Sequence, residues 1–146
     1  MSYCTFFGHK DCNDSVKQNL FKAIEALITE HNVIGFFVGN QGNFDLFALK
    51  ALRELQKKHP HIKYCVVLAY MPQAASDHLF PNETVYPEEL TRVPKRFAIS
   101  HRNIWMINKS DYVISYVKRS YGGAAHFTEK AVKAGKTVIN IAEVSK

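Results

Sequence analysis

Short, uninterrupted apolar runs alternate with segments of helical period, and that alternation predicts an α/β fold. The architecture expected is a Rossmann-like three-layer sandwich with a mostly parallel sheet of about five strands. Three observations carry it. Runs such as 33–38 and 65–70 are apolar at consecutive positions, as in strands covered by helices on both faces. Between the runs lie segments whose apolar residues recur at helical spacing. Polar, glycine-bearing turns lead out of several runs into the next helix.

The elements follow in order. Residues 3–8 read as a first strand ending in the turn Gly8-His9-Lys10-Asp11-Cys12. Asn13 or Asp14 then caps a helix to about Glu30, with Leu20, Ile24, Leu27 and Ile28 on one face. Asn32 marks its exit, and 33–38 is a β-branched and aromatic strand. After Gly39-Asn40-Gln41-Gly42-Asn43, a second helix carries Phe44, Phe47, Ala48, Ala51, Leu52 and Leu55 as its apolar stripe, and Pro60 stops it. Residues 63–70 form the third strand, ended by Met71-Pro72. The stretch 73–95 holds Pro81, Pro87 and Pro94 and reads mostly as loop, with a short turn near 88–90; a loop of that length is a lid, a binding loop or an insertion. A third helix covers 97–108, a fourth strand 112–117, and Gly122-Gly123 precedes a helix over 124–134 that Gly135 closes in a left-handed cap. Residues 137–141 are the fifth strand.

Composition bounds the rest. A length of 146 residues fits one domain, 1–146, and 47% hydrophobic against 22% charged residues excludes a disordered chain. The longest apolar runs are too short to span a bilayer, and the first nine residues lack the basic and apolar regions of a signal peptide. A cytoplasmic protein without membrane contact is therefore expected. The formal net charge of +6 favours anionic partners: nucleotides, nucleic acid or an acidic protein surface. Basic residues are scattered, with no run beyond Lys57-Lys58, so no nucleic-acid module is recognised. Of the three cysteines, Cys4 and Cys65 read as core thiols. Cys12 follows His9 in a turn where a thiolate or metal role is open, but no second ligand pair stands at zinc spacing, so neither metal nor cofactor is expected.

In parallel sheets ligands sit beyond the carboxyl ends of the strands, which nominates the turns 8–14, 39–45, 70–96 and 118–128. In the turn 39–45, Gly39 and Gly42 let backbone N–H groups approach a ligand at a helix N-terminus, while Asn40, Gln41 and Asn43 offer amides. Asp45 either accepts from ribose hydroxyls or caps the helix. The segment Tyr121-Gly122-Gly123-Ala124-Ala125-His126 repeats that architecture, with Glu129 either facing the crevice or standing as a solvated carboxylate early in the helix. Arg102 suits bidentate binding of a phosphate or carboxylate, or else a surface salt bridge. His9 and His101 are candidate acid–base groups. Tyr70, Phe80, Tyr86, Phe97 and Trp105 are candidates for a base-stacking wall, of which Phe97 and Trp105 read better as core.

The order of these motifs resembles the SLOG superfamily. A first strand ending Phe7-Gly8-His9 is followed by Gly39-Asn40-Gln41-Gly42-Asn43-Phe44-Asp45, Ala69-Tyr70-Met71-Pro72, and residues 96–103 with Ser100-His101-Arg102-Asn103. Ser110-Asp111-Tyr112-Val113-Ile114 and Gly122-Gly123-Ala124-Ala125 complete the series. The chain looks most like the small single-domain SLOG proteins of Gram-positive bacteria and their phages, over nearly its whole length. The superfamily takes its name from the Smf (DprA) DNA-processing proteins and the LOG cytokinin-activating enzymes, which hydrolyse the N-glycosidic bond of a nucleoside monophosphate. Arg102-Asn103-Ile104-Trp105-Met106 keeps the arginine and methionine of the R-K-x-x-M segment of the LOG enzymes. Residues 122–129 keep two glycines and the glutamate of their P-G-G-x-G-T-x-x-E motif, but Tyr121, Ala125 and His126 replace its proline, third glycine and threonine.

What the resemblance implies comes in three forms. The first is a protein that binds a nucleotide-derived ligand containing ribose and phosphate, such as an ADP-ribose derivative or a cyclic nucleotide, for sensing or for sequestration of a signalling nucleotide. Its ligand-binding positions are Gly8, His9, Gly39, Asn40, Gln41, Gly42, Asn43, Asp45, Tyr70, Pro72, Arg102, Asn103, Gly122, Gly123, Ala124, His126 and Glu129. The second is a LOG-like phosphoribohydrolase with Glu129 and Arg102 as its catalytic pair. The third is a DprA-like module that contacts DNA or protein. The resemblance also implies a homo-oligomer, with residues 97–107 as a candidate face.

Overall fold

The computed structural model describes residues 2–70 and 84–144. Its strands are β1 (Ser2–Gly8), β2 (Val33–Val38), β3 (Lys63–Val67), β4 (Thr84–Val85), β5 (Tyr112–Tyr116) and β6 (Thr137–Asn140). They form one sheet in the order β4-β3-β2-β1-β5-β6, and every pairing is parallel. The helices are α1 (Val16–His31), α2 (Asn43–Lys58), α3 (Ala98–Lys109), α4 (Gly123–Lys133) and the short α5 (Ile141–Val144), with 3-10 turns at Glu88–Arg92 and Lys95–Phe97.

The predicted Rossmann-like sandwich is what forms, with one strand more than expected. β4 lies in the stretch read as loop; two residues carry no periodicity to read, and their place is fixed by pairing with β3 and by the Leu68 N–H donating to the Val85 carbonyl at 2.8 Å. β3 is shorter than expected. Met71, Pro72 and Phe80 lie outside the described residues. β6 ends one residue early because Asn140 turns the chain: its Oδ1 accepts from the backbone N–H groups of Val117 and Ala142.

The sequence explains the two layers of helices. β1 lies between β2 and β5, and its residues 4–7 are all buried. Their alternation sends Cys4 and Phe6 to one face and Phe7 to the other. On the first face Phe6 and Phe36 pack with Leu20, Ile24 and Leu27 of α1 and Phe44, Leu52 and Leu55 of α2. On the second, Phe7 and Val113 meet Met106 and Ile107 of α3 and Phe127 and Ala131 of α4. Helix α1 stops at Asn32, whose left-handed backbone (φ 55°) directs its N–H to the Leu27 carbonyl. Trp105 is partly buried, edge-on to Phe37 with ring centroids 5.4 Å apart. Phe97 corrects the expectation of a core residue: it caps α3 from outside and is 45% exposed.

Strand order places the site. From β1 the chain steps outward through β2 and β3 to β4, then returns across the sheet to β5 on the other side of β1. The carboxyl ends of β1 and β5 therefore flank a topological switch point, where the outgoing turns diverge and leave a crevice.

Candidate functional site

A cavity of about 410 Å³ opens at that switch point. The end of β1 (Phe6, Phe7, Gly8) and the following His9, Lys10 and Asp11 form one wall. Gln41 and Asp45 come from the β2–α2 turn, and Ile99, Arg102, Asn103 and Met106 from one face of α3. Arg119, Gly122, Gly123, Ala124 and Phe127 complete it from the β5–α4 side. The volume lies within the range of about 300–1,000 Å³ usual for small-molecule sites.

Arg102 is the best-held polar group in this site. Its side chain is only 2% exposed, on the buried face of α3. Its Nε donates to Asn103 Oδ1 at 2.8 Å, and Nη1 donates to Asn40 Oδ1 at 3.0 Å and to the Val67 carbonyl at 3.1 Å. The guanidinium thus ties α3 to the ends of β2 and β3, and the alternative of a surface salt bridge is overturned. Nη2 has no hydrogen-bond partner among the described residues.

Asp45 stands beside it. Its Oδ2 accepts the backbone N–H of Gln41 at 2.9 Å, closing the turn across the first residues of α2. The side chain is recessed into the cavity wall, and burial lifts its pKa to about 6, against the opposing pull of the Gln41 N–H, Arg102 and Lys10. Gly39 explains how the two groups come so near the backbone. A Cβ there would lie 2.8 Å from Asp45 Oδ2 and 3.3 Å from Cζ and Nη1 of Arg102. Only a glycine leaves that space free.

His9 is a positioning element rather than a free acid–base group. Its Nε2 accepts the backbone N–H of Lys118 at 2.9 Å, so the proton of the neutral ring sits on Nδ1. Burial first, and then the Arg119 and Lys118 charges, lower its pKa and favour that neutral form, although Asp11 acts the other way. The ring stitches the end of β1 to the turn after β5. Arg119 is placed by Asp11 at 3.6 Å and lies over the Tyr121 ring at 5.4 Å from its centroid.

The two glycine turns differ. In the first, Gly42 has φ 93° and ψ −177°, a conformation natural to glycine, and a Cβ there would strike Lys10 Cα at 2.6 Å. The Asn43 N–H donates to the Lys10 carbonyl at 2.9 Å, and Asn43 Nδ2 donates to the Cys12 carbonyl at 3.1 Å. The head of α2 is thus filled by the β1–α1 loop and by its own Asp45. In the second, Gly122 has nearly the same backbone (φ 96°, ψ 173°), yet among the described residues nothing lies within 4 Å of a Cβ placed on it or on Gly123. The first intrahelical bond of α4 runs from the His126 N–H to the Gly122 carbonyl, so the N–H groups ahead of it stand outside the ladder. Those groups and the helix dipole make that end suited to an anion.

Of the positions expected to bind a ligand, Gly8, His9, Gln41, Asp45, Arg102, Asn103, Gly122, Gly123 and Ala124 line the cavity. Gly39 and Asn40 lie behind it and support Arg102, whereas Gly42 and Asn43 are used in packing the turn. Tyr70 is outside the lining, half-exposed under the Lys95 ammonium at 5.6 Å, and Pro72 is outside the described residues. His126 is exposed, with its ring edge-on to Phe127, and His101 is exposed on α3. Glu129 also stands away from the cavity: its side chain is 67% exposed and pairs with Lys133 at 3.1 Å.

Lys10, Asp11 and Arg119 were not singled out, although they fall inside the nominated turns 8–14 and 118–128. The spacing of Ile99, Arg102, Asn103 and Met106 is a helix face that the sequence already displays. Cys12 is buried, and burial pushes its thiol up to about 11, as it does that of the partly buried Cys65. Neither is a thiolate at neutral pH. Among the described residues no cluster of three metal-ligating side chains occurs.

A parallel sheet covered on both faces, with a ligand-sized crevice at its switch point, defines a Rossmann-like protein. The solved structure of DNA processing protein A (DprA) from Streptococcus pneumoniae superposes on 94% of this chain with a TM-score of 0.67 and 19% identity. This chain therefore shares the Rossmann-like fold of that structure, and it spans about half (49%) of the DprA chain. It is also similar to the uncharacterized SPbeta prophage-derived protein YoqJ of Bacillus subtilis strain 168, with 27% identity over 138 aligned residues and 81% of each chain covered. No protein-family model matches the sequence. Among the described residues no helix is long and apolar enough to cross a membrane.

Proposed function

We propose that the protein binds a nucleotide-derived ligand in this cavity, with a phosphate at the head of α4 and the remainder of the ligand extending toward Asp45 and Arg102. One observation carries the reading: the Gly122–Gly123 turn presents open backbone at a helix N-terminus, on the same cavity as a buried arginine. On the cavity wall Lys10, Arg102 and Arg119 stand against the carboxylates of Asp11 and Asp45, a balance on the positive side that suits a phosphorylated ligand. Retention without turnover, for sensing or sequestration, is the form we favour. The hydrolase reading depends on Glu129, and that carboxylate is not among the groups lining the cavity.

The test joins binding to chemistry. The protein is incubated with nucleoside monophosphates, ADP-ribose derivatives and cyclic nucleotides, filtered, denatured by heat, and both fractions are chromatographed. A ligand depleted from the filtrate and recovered intact on denaturation is the expected result. Free base and a ribose phosphate would establish a hydrolase instead. The matching variant is Gly123→Ala, because its methyl group enters open space: stability should change by less than about 1 kcal/mol, while affinity for the retained phosphorylated ligand falls at least roughly tenfold. Undiminished affinity would remove the α4 turn from the site.

The structural neighbour is a DNA processing protein, which brings single-stranded DNA into the same panel. Exposed cation–ring pairs favour its inclusion: Arg96 over Phe97 and Arg119 over Tyr121. Assembly into a homo-oligomer is a separate proposal, with exposed Phe97 and Ile104 as its candidate face.

A further inference from the structure

We propose that a second cavity, at the head of α1, is a binding site for a small phosphate-type oxyanion. The inference goes beyond the nucleotide reading and does not depend on it, because the two cavities share no lining residue.

This cavity measures about 240 Å³ and lies on the face of the sheet that α1 covers. Ser15, Val16 and Asn19 at the head of α1, Tyr116 and Lys118 at the end of β5, and Ile141 of α5 enclose it. It is smaller than the range of about 300–1,000 Å³ usual for small-molecule sites, and so suits a compact group.

The decisive side chain is Tyr116. It is only 7% exposed, its ring stacks on Phe44 at 6.3 Å, and it meets His9 edge to face at 6.0 Å. Its hydroxyl nevertheless has no hydrogen-bond partner among the described residues. Unlike the unpartnered hydroxyls of Ser110 and Ser115, which are sealed in the core, that oxygen keeps access to open space. A buried phenol is ordinarily bonded, so an open one on a cavity wall points to a ligand. Lys118 Nζ lies 5.4 Å from the centroid of the same ring, which brings an ammonium to the phenol's wall. The backbone of Lys118 is fixed by its N–H, which donates to His9 Nε2 at 2.9 Å. Neither Lys118 Nζ nor the Asn19 amide has a hydrogen-bond or ion-pair partner among the described residues.

Charge decides the class of ligand. No carboxylate lines this cavity, whereas Asp11 and Asp45 line the first. Helix α1 has no acidic residue in its first turn, and the Ser15 hydroxyl donates to Asn13 Oδ1 instead of capping the helix. The positive end of the dipole thus adds to Lys118. Asp14 stands ahead of the helix, but its side chain is 84% exposed and paired with Lys17 at 3.6 Å. The N–H groups of Val16 and Lys17 are taken by the Asn13 and Asp14 carbonyls, so the donors on offer are side chains. An ammonium would meet Lys118, and a neutral ligand would leave its charge unpaired. A carboxylate brings two acceptor oxygens in one plane. A tetrahedral phosphate presents oxygens toward Asn19 on α1 and toward Tyr116 and Lys118 at once.

Backbone amide shifts are followed by NMR as the wild-type chain is titrated with inorganic phosphate, glycerol 3-phosphate and acetate at constant ionic strength. The expected result is a saturable shift at Ser15, Val16, Asn19 and Lys118 with phosphate, and binding of acetate at least roughly tenfold weaker. The tighter of the two phosphates identifies the source as the free ion or a small ester. Tyr116→Phe should keep the wild-type melting temperature, since the lost hydroxyl has no partner in the chain, yet bind phosphate at least roughly threefold more weakly. Lys118→Gln should weaken it roughly tenfold. Shifts confined to the amides of 123–126 would place phosphate at α4 alone, overturning this site and leaving the nucleotide reading intact. An equal response to acetate, undiminished affinity in either variant, or no saturable shift at all also overturns it.

Discussion

The turns after β2 and β5 are built alike and serve different ends. Each follows a buried strand, opens a helix, and sets a glycine at φ near 95° with ψ near 180° just before the first helical residue. In the first, the neighbouring loop and the helix's own Asp45 occupy the space at the helix head: Lys10 lies against Gly42, its carbonyl takes the Asn43 N–H, and Asp45 takes that of Gln41. In the second nothing among the described residues does. The lesson is that a glycine turn ahead of a helix is a binding site only if the protein has not already satisfied it, and satisfaction is a tertiary property.

Alanine substitution at the two matched glycines is the strongest way to break this comparison. Both positions hold a backbone that only glycine adopts readily, which costs an alanine about 1–3 kcal/mol at either site. At Gly42 the methyl group also meets the Lys10 backbone at 2.6 Å, and such overpacking costs roughly 1–3 kcal/mol more. Gly42→Ala should therefore be less stable than Gly122→Ala by about 2 kcal/mol in denaturant melts. Equal losses would mean that the β1–α1 loop gives way without cost, and that the first turn is not closed in solution.

Asp45 offers a second, smaller test, because it is what closes the first turn electrostatically. Its carboxyl titrates near 6 in the fold, against 3.8 for an ordinary aspartate. The native state therefore holds the proton more tightly than the unfolded chain, and the stability this contributes is present in full below about pH 4. It is lost as the pH rises through 6. The stability of wild type minus that of Asp45→Asn should fall by about 1–2 kcal/mol between pH 4 and pH 7, after a discount for partial solvent access. A difference that stays flat would show that Arg102 and Lys10 fully compensate the charge.

The same contrast marks how far the sequence could be read. The sandwich was legible because apolar continuity in 33–38 and the stripe of α2 are local properties, and Asn32 and Gly135 punctuate helices by backbone conformation alone. The second glycine turn was legible too, since Gly122 and Gly123 carry their meaning in the absence of side chains. The first turn was not. Asn43 faces the chain itself because residues 10–12, some thirty positions earlier, fold over it, and the Asn40 amide is taken by Arg102. Arg102 was found, but as a ligand-facing group; the contacts that make it a strut come from Asn40 and Val67, on other elements. Arg119 and Lys10 carry no pattern of their own and join the site only through the adjacency of β1 and β5.

Glu129 is where sequence resemblance and geometry part most clearly, and it gives the smallest expected effect. It stands six positions after Gly123, beyond the first turn of α4, so the helix dipole adds little to it. Its ion pair with Lys133 is an exposed i, i+4 contact worth at most about 0.5 kcal/mol. Glu129→Ala should thus leave stability within about 0.5 kcal/mol and affinity for any retained nucleotide within roughly twofold, whereas Gly123→Ala should lower that affinity at least roughly tenfold with little change in stability. If Glu129→Ala instead lost binding tenfold, or abolished release of a free base, the carboxylate would have to reach a ligand that protrudes beyond the cavity over the first turns of α4. The open second turn would then be only the inner half of a larger site.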